Sequence, residues 1–124
     1  MSFCTAITCM DGRIQQPVFV YLQNYFNVDY VDTITEPGPN KVLAERNNLA
    51  TVRSIIKRSD ISLNVHQSKG IAVVGHHDCA GNPVAKEKQV EQIKDSISFL
   101  QQTYSKIDII GLWVDNNWDV TLIK

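Results

Sequence analysis

The chain alternates short apolar runs with longer amphipathic segments, and this alternation limits the folds that it can adopt. Three runs rich in β-favouring residues, 3–8, 28–35 and 71–74, are each followed along the chain by a segment with helical character. Strands separated by helices pair in parallel, because a crossover helix returns the chain to the same edge. The sequence therefore predicts an α/β fold with a mostly parallel sheet flanked by helices.

The predicted helices lie between these strands. The first begins at Pro17 and runs to Tyr25, and the third follows the Asn82-Pro83 pair and ends near Thr103. Two prolines and a glycine in 36–40 predict a loop before the second helix. The second helix spans 41–57, where apolar residues recur at helical spacing: Val42, Leu49, Val52, Ile55 and Ile56.

The C-terminal segment predicts a β-hairpin. An apolar run at 107–114 forms the fourth parallel strand, 115–117 are turn-forming, and 118–123 alternate like a returning strand. The expected sheet thus has four parallel strands and an antiparallel C-terminal edge strand. A length of 124 residues fits a single domain, 1–124.

Composition narrows the classes of partner. Twelve Lys and Arg against thirteen Asp and Glu give a net charge of -1, which does not favour nucleic acid or an anionic membrane as a partner. The first residues, 1–5, lack the pattern of a secretory signal, so we expect a cytoplasmic protein. Its three cysteines, an odd and low count, argue against a disulfide framework and leave thiols free for a metal or for nucleophilic chemistry.

Metal-binding residue types follow two of the predicted strands. Cys9 ends the first strand, and His76 and Cys79 follow the third, separated by two residues that a tight turn can accommodate. The carboxyl ends of strands in open α/β sheets form ligand sites. A catalytic zinc takes thiolate and imidazole ligands and keeps its fourth position open. The pattern predicts a zinc site with Cys9, His76 and Cys79 as ligands, and with Asp11 and Arg13 close by.

The segments CMDGR (9–13) and GHHDCAGN (75–82) resemble the paired C-x-D-x-R and H-x-x-C signature of the β-class carbonic anhydrases. The resemblance implies strand order 2-1-3-4 with an antiparallel extension, and a homodimer or larger homo-oligomer. It implies reversible hydration of carbon dioxide to bicarbonate at Zn²⁺. It also implies zinc ligands at Cys9, His76 and Cys79 and a catalytic dyad of Asp11 and Arg13.

The chemistry of zinc explains these residue types. The metal lowers the pKa of a bound water toward neutrality, and the resulting hydroxide can attack carbon dioxide. Asp11 can accept the hydrogen bond of that hydroxide, and the guanidinium of Arg13 can hold Asp11 away from the metal. The hypothesis is that this pair gates activity, since a released Asp11 could become the fourth zinc ligand.

Three other functions stay open from the sequence. The TEPGPNK segment lies where the family commonly shows Arg-Asn-Ala-Gly-Asn, so the anionic Glu36 could adapt the pocket of a zinc hydrolase to another small electrophile, such as carbonyl sulfide. A non-catalytic zinc-binding module is the second alternative. A thiol-redox role is the weakest, because the C-x-x-C spacing is absent.

Other polar and aromatic residues have ordinary explanations. We expect Cys4 to be a small buried hydrophobe and His77 to point away from the metal, while the role of Asp78 is left open. His66 is expected at the surface. Trp113 and Trp118 are expected to pack in the hairpin or to lie in a subunit contact. A solvated helix face is expected for the basic residues Arg46, Arg53, Lys57 and Arg58.

Overall fold

A computed structural model describes the whole chain, Met1–Lys124. Five strands and four helices follow in this order: β1 Phe3–Thr8, α1 Gly12–Phe26, β2 Tyr30–Thr35, α2 Pro39–Glu45, α3 Leu49–Asn64, β3 Gly70–His76, α4 Lys86–Thr103, β4 Asp108–Val114 and β5 Val120–Leu122. None of the helices combines the length and the apolar character that crossing a membrane requires.

The strands form one sheet of order β2-β1-β3-β4-β5. The first four strands are parallel, and β5 pairs antiparallel with β4. The predicted fold class, the 2-1-3-4 order and the antiparallel C-terminal edge are confirmed. β1 pairs with β3 only over residues 5–7, which lie opposite residues 71–73. The pairing of β3 with β4, in contrast, continues as far as His76. The end of β3 therefore extends beyond its pairing with β1.

Helices cover both faces of the sheet. α1 packs on one face through Ile14, Val18 and Leu22, in a core layer that also contains Ala72 and Val74 of β3. The other layer contains buried residues of α2, α3 and α4 together with Ile71 and Val73. Side chains alternate between the two faces of a strand, so His76 lies on the α1 face and Gly75 on the opposite face.

The first helix begins earlier than predicted. α1 begins at Gly12, and Pro17 lies inside it. Asp11 is its N-cap, because Asp11 Oδ1 accepts a hydrogen bond from the Arg13 backbone N–H at 2.9 Å. The prediction that Pro17 opens the helix was wrong, since the aspartate supplies a cap that starts the helix five residues before Pro17. Asp11 thus has a structural role in addition to the catalytic one predicted for it.

The segment predicted as one helix at 41–57 forms two. α2 ends before Arg46, which adopts a left-handed φ of 54°, and α3 begins after Asn48. The Asn48 side chain accepts a hydrogen bond from the Thr51 backbone N–H at 3.2 Å. The loop predicted at 36–40 is also shorter, because Pro39 is the first residue of α2, a position that suits proline.

Replacement of Asn48 by alanine should lower the free energy of unfolding by about 1 kcal/mol, because it removes the N-cap of α3. Chemical denaturation of the variant and the wild type measures this difference. Asn47→Ala is the matched control, since Asn47 is exposed and lies just before the cap. Equal losses in the two variants would contradict the capping role.

The last helix begins later than predicted. α4 begins at Lys86 with Ala85 as its N-cap, so the expected cap at Asn82-Pro83 was wrong. Asn82 is fully buried, and its Nδ2 donates a hydrogen bond to Gln92 Oε1 at 2.6 Å. Its carboxamide therefore joins the loop after β3 to the middle of α4 rather than capping a helix.

Candidate metal centre

The structure brings the three predicted ligands together at the carboxyl edge of the sheet. Cys9 directly follows β1, His76 ends β3, and these two strands are neighbours. The potential ligand atoms of Cys9, His76 and Cys79 all lie within 4.8 Å of one another. The two sulfurs are 3.9 Å apart. Zinc–sulfur bonds of about 2.3 Å in a tetrahedron place two sulfurs about 3.8 Å apart, so the spacing suits a tetrahedral ion.

The imidazole of His76 is prepared to act as a ligand. His76 Nδ1 lies 2.7 Å from the His77 carbonyl oxygen and donates a hydrogen bond to it, which leaves a lone pair on Nε2. That Nε2 is buried and has no hydrogen-bond partner. Buried polar atoms are normally satisfied, and a carbonyl partner on the other ring nitrogen is typical of metal-binding histidines. A metal ion would satisfy this atom, so the residues present fit zinc.

The two thiols affect each other's ionisation. A hydrogen bond from Cys79 lowers the pKa of Cys9 against the effect of burial, and the same contact, together with burial, raises the pKa of Cys79. Backbone amides of Gly38 and Asp11 also favour the Cys9 thiolate. Ionisation of one thiol therefore opposes ionisation of the other. A divalent cation between the sulfurs would favour both thiolates, because its charge offsets their repulsion.

Asp11 and Arg13 form a two-pronged ion pair beside the cluster. Arg13 Nε donates to Asp11 Oδ1 at 3.1 Å, and Nη2 donates to Oδ2 at 2.7 Å. The hydrogen bonds from Arg13 lower the pKa of Asp11 to about 2, and they raise the pKa of Arg13. The pair is consequently ionised at neutral pH, with the carboxylate held in one orientation.

Arg13 also joins the two sequence motifs. Its Nη1 lies 3.3 Å from Asp78 Oδ2, and its Nη2 donates to the Asp78 carbonyl oxygen at 3.1 Å. The guanidinium lies over the Trp118 ring, 4.6 Å from the centroid. The role of Asp78, left open from the sequence, is thus contact with Arg13. Nothing in the spacing of Trp118 predicted that it would contact the dyad.

Gln15 is a further residue of the site that sequence reasoning missed. Its Nε2 donates to the backbone carbonyl oxygens of Cys9 and Asp11, each at 2.8 Å. These bonds fix the turn that carries both side chains toward the cluster. The available signal was its position in the first turn of α1, two residues after the end of the CMDGR segment.

The other sequence expectations have mixed outcomes. Cys4 is fully buried as predicted, and burial, with a smaller effect of Asp32, raises its pKa to about 12. His77 is exposed and lies outside the ligand cluster, as expected. His66 lies at the surface but is not isolated, because its Nδ1 is 2.6 Å from Asp32 Oδ2 and its ring stacks on Phe3.

Glu36 is not a free anion beside the cluster. Its Oε1 accepts a hydrogen bond from Arg58 Nη2 of α3 at 2.7 Å. The basic side chains expected on a solvated helix face therefore include one that neutralises Glu36. This pairing offsets the negative charge on which an altered substrate pocket was expected.

Comparison with known proteins agrees with this architecture. A carbonic anhydrase from Glaciozyma antarctica has 18% sequence identity and a TM-score of 0.60, with 97% of this chain and 81% of that chain covered. The β-carbonic anhydrase of Aspergillus fumigatus has 9% sequence identity and a TM-score of 0.54, with 98% of this chain and 74% of that chain covered. Tetrameric β-carbonic anhydrases from Sordaria macrospora have 12% sequence identity and a TM-score of 0.55, with 96% of this chain and 79% of that chain covered. At these identities the likeness establishes a shared fold.

Sequence comparison identifies the family. No curated protein matches this sequence. A family model described as "Putative carbonic anhydrase" matches residues 1–124, which is the whole chain. Together with the shared sheet and the Cys-His-Cys cluster at its carboxyl edge, this match shows that the chain belongs to the carbonic anhydrase family that the model describes.

Proposed function

We propose that this protein is a zinc-dependent carbonic anhydrase that interconverts carbon dioxide and bicarbonate. Cys9, His76 and Cys79 hold the zinc, and Asp11 with Arg13 forms the catalytic dyad. The observation that carries the proposal is the buried, unpartnered Nε2 of His76, which faces two thiols next to a carboxylate held by arginine. Zinc, when bound, lowers the pKa of a water molecule toward neutrality, and the hydration of carbon dioxide needs this effect.

Asp11 orients the attacking water. An ionised carboxylate offers about four lone pairs, and Arg13 uses three: two on Oδ1 and one on Oδ2. Oδ2 therefore keeps one lone pair that can accept a hydrogen bond from the water. Because the pKa of Asp11 is about 2, this carboxylate remains an acceptor at neutral pH. That hydrogen bond, in which the proton stays on the water, would direct an oxygen lone pair of the water toward the carbon of carbon dioxide.

Arg13 keeps Asp11 available for this role. Asp11 can turn toward the metal only if it breaks its bonds to the guanidinium and its N-cap bond to the Arg13 backbone. The backbone carbonyl oxygen of Asp78 and the ring of Trp118 hold the guanidinium from other sides. The arrangement supports a gate in which the ordered pair is the active state, since a bidentate pair restricts both side chains.

We expect the protein to act as a homodimer or larger homo-oligomer. The Sordaria macrospora structures are of tetrameric enzymes. In this chain α1 contains a single charged residue, Arg13, and exposes Phe19, Val20 and Tyr25. Aromatic side chains with few charges are typical of the buried part of subunit interfaces, which favours α1 as a contact between copies.

A stopped-flow assay of carbon dioxide hydration tests the proposed reaction. Zinc-loaded protein should accelerate hydration in proportion to its concentration, and removal of zinc by a chelator should abolish the acceleration. Restoring zinc should restore the rate, because the ligand cluster is available to rebind the metal. Fully zinc-loaded protein that gives no acceleration at alkaline pH would reject the enzyme and leave the non-catalytic zinc module. Arg58 offsets the charge of Glu36, the residue on which the alternative of another small electrophile was based.

A further inference from the structure

The backbone of His76 lacks a neighbouring strand on one side. β1 pairs with β3 only as far as Ile7 opposite Val73, and β3 continues to His76. A side chain from α4 replaces the missing strand: Gln89 Oε1 accepts a hydrogen bond from the His76 N–H at 3.2 Å, and Gln89 Nε2 donates to the His76 carbonyl at 2.8 Å. The carboxamide satisfies both backbone groups of His76, as the backbone of a paired strand would.

The carboxamide of Gln89 is itself held in place. Gln89 is 1% exposed, and its Oε1 also accepts a hydrogen bond from Asn40 Nδ2 of α2 at 3.2 Å. A Cβ atom at position 75 would lie 2.8 Å from Gln89 Oε1 and 3.1 Å from Asn40 Nδ2. The glycine that precedes His76 therefore leaves the space that this carboxamide occupies. The buried contact depends on residues from α2, β3 and α4 together.

We infer that Gln89 is a positioning residue for the His76 ligand, an inference that rests on the proposed zinc site. Gln89 fixes the main chain from which the imidazole projects, and the His77 carbonyl fixes the rotation of the ring through Nδ1. The two restraints together direct the unpartnered Nε2 toward the thiols of Cys9 and Cys79. Such supporting contacts affect metal affinity because they set the position of a ligand before the ion binds.

Gln89→Met tests this role, since methionine has similar length and forms neither bond to His76. Competition with a chelator should show zinc affinity about 10-fold weaker than in the wild type. Cobalt(II) in place of zinc should show altered visible absorption, because those bands report the geometry of the ligands. Wild-type zinc affinity together with a wild-type cobalt spectrum in Gln89→Met would overturn the inference.

Ser96→Ala is the control variant. Ser96 is fully buried on the same helix, and its hydroxyl lies within hydrogen-bond distance of the backbone carbonyl oxygens of Gln92 (2.7 Å) and Asn40 (3.0 Å). Its removal therefore disturbs the α2–α4 contact without touching His76. Its zinc affinity and cobalt spectrum should match the wild type. Losses equal to those of Gln89→Met would show a general packing effect and contradict the inference. A wild type that binds zinc but does not hydrate carbon dioxide rejects only the proposed reaction.

Hydrogen exchange in the unaltered protein provides a test that does not depend on folding of the variant. The His76 amide should be as protected as the amides in the middle of β3, because Gln89 accepts its hydrogen bond. Exchange at the rate of an open loop would show that the Gln89 contact does not persist. That result would overturn the positioning role even if Gln89→Met failed to fold.

Discussion

Replacement of Cys9 by alanine is expected to abolish stoichiometric zinc binding and, with it, carbon dioxide hydration. The variant keeps His76 and Cys79 but loses one of the two sulfurs that lie 3.9 Å apart in the cluster. Mutation of the hydrogen-bond partners of metal ligands weakens metal affinity by about 10- to 100-fold. Loss of a ligand itself should weaken zinc affinity by more than that. Metal analysis of the purified variant, followed by chelator competition, measures the effect.

Cys4→Ala is the matched control for this change. Cys4 is also buried, belongs to the same core layer on the α1 face and lies outside the metal cluster. The same substitution there should cost some stability while leaving about one zinc per chain. Retention of full zinc content by Cys9→Ala, or loss of zinc from both variants, would contradict the proposed ligand set.

Replacement of Asp11 by asparagine should lower the rate of carbon dioxide hydration by at least about 100-fold without loss of zinc. Asparagine is as good an N-cap as aspartate, so its oxygen can keep the bond to the Arg13 backbone and preserve the start of α1. Its amide nitrogen replaces Oδ2, the atom with the free lone pair, and a donor now faces Arg13 Nη2. Orientation of the attacking water is lost while the cluster remains. Stopped-flow hydration of zinc-loaded variants measures the loss.

Asp78→Asn provides the comparison for the Asp11 variant. Asp78 also pairs with Arg13, but its carboxylate is exposed and the contact is longer, at 3.3 Å. Exposed ion pairs contribute little to stability. Asparagine also readily adopts the left-handed φ of 57° found at position 78. Its hydration rate should stay close to that of the wild type. Equal rates for Asp11→Asn and the wild type, at equal zinc content, would remove Asp11 from the mechanism.

The boundaries of the helices show where local sequence reasoning reached its limit. Pro17 alone predicts a helix start at 17, whereas Asp11 caps the helix further upstream and Pro17 is accommodated inside it. In the segment 41–57 the apolar spacing continues across a break at Arg46 and Asn48, because both α2 and α3 face the same layer of the core. A periodic pattern reports which face is buried, and it does not report whether the backbone is continuous.

The sequence by itself determined the alternation of strands and helices, the two strand ends that carry Cys9 and His76, and the dyad segment beside the first. These features are local, since residue types and spacings within a few positions specify them. The strand order came from resemblance to a family and agrees with the sheet. Only the tertiary structure decided that Gln89 pairs with the backbone of His76, that Asp78 and Trp118 hold Arg13, and that Arg58 neutralises Glu36. Most of these contacts join residues far apart in the chain, and all depend on how packed elements are placed against one another, which the periodicity of a single segment does not specify.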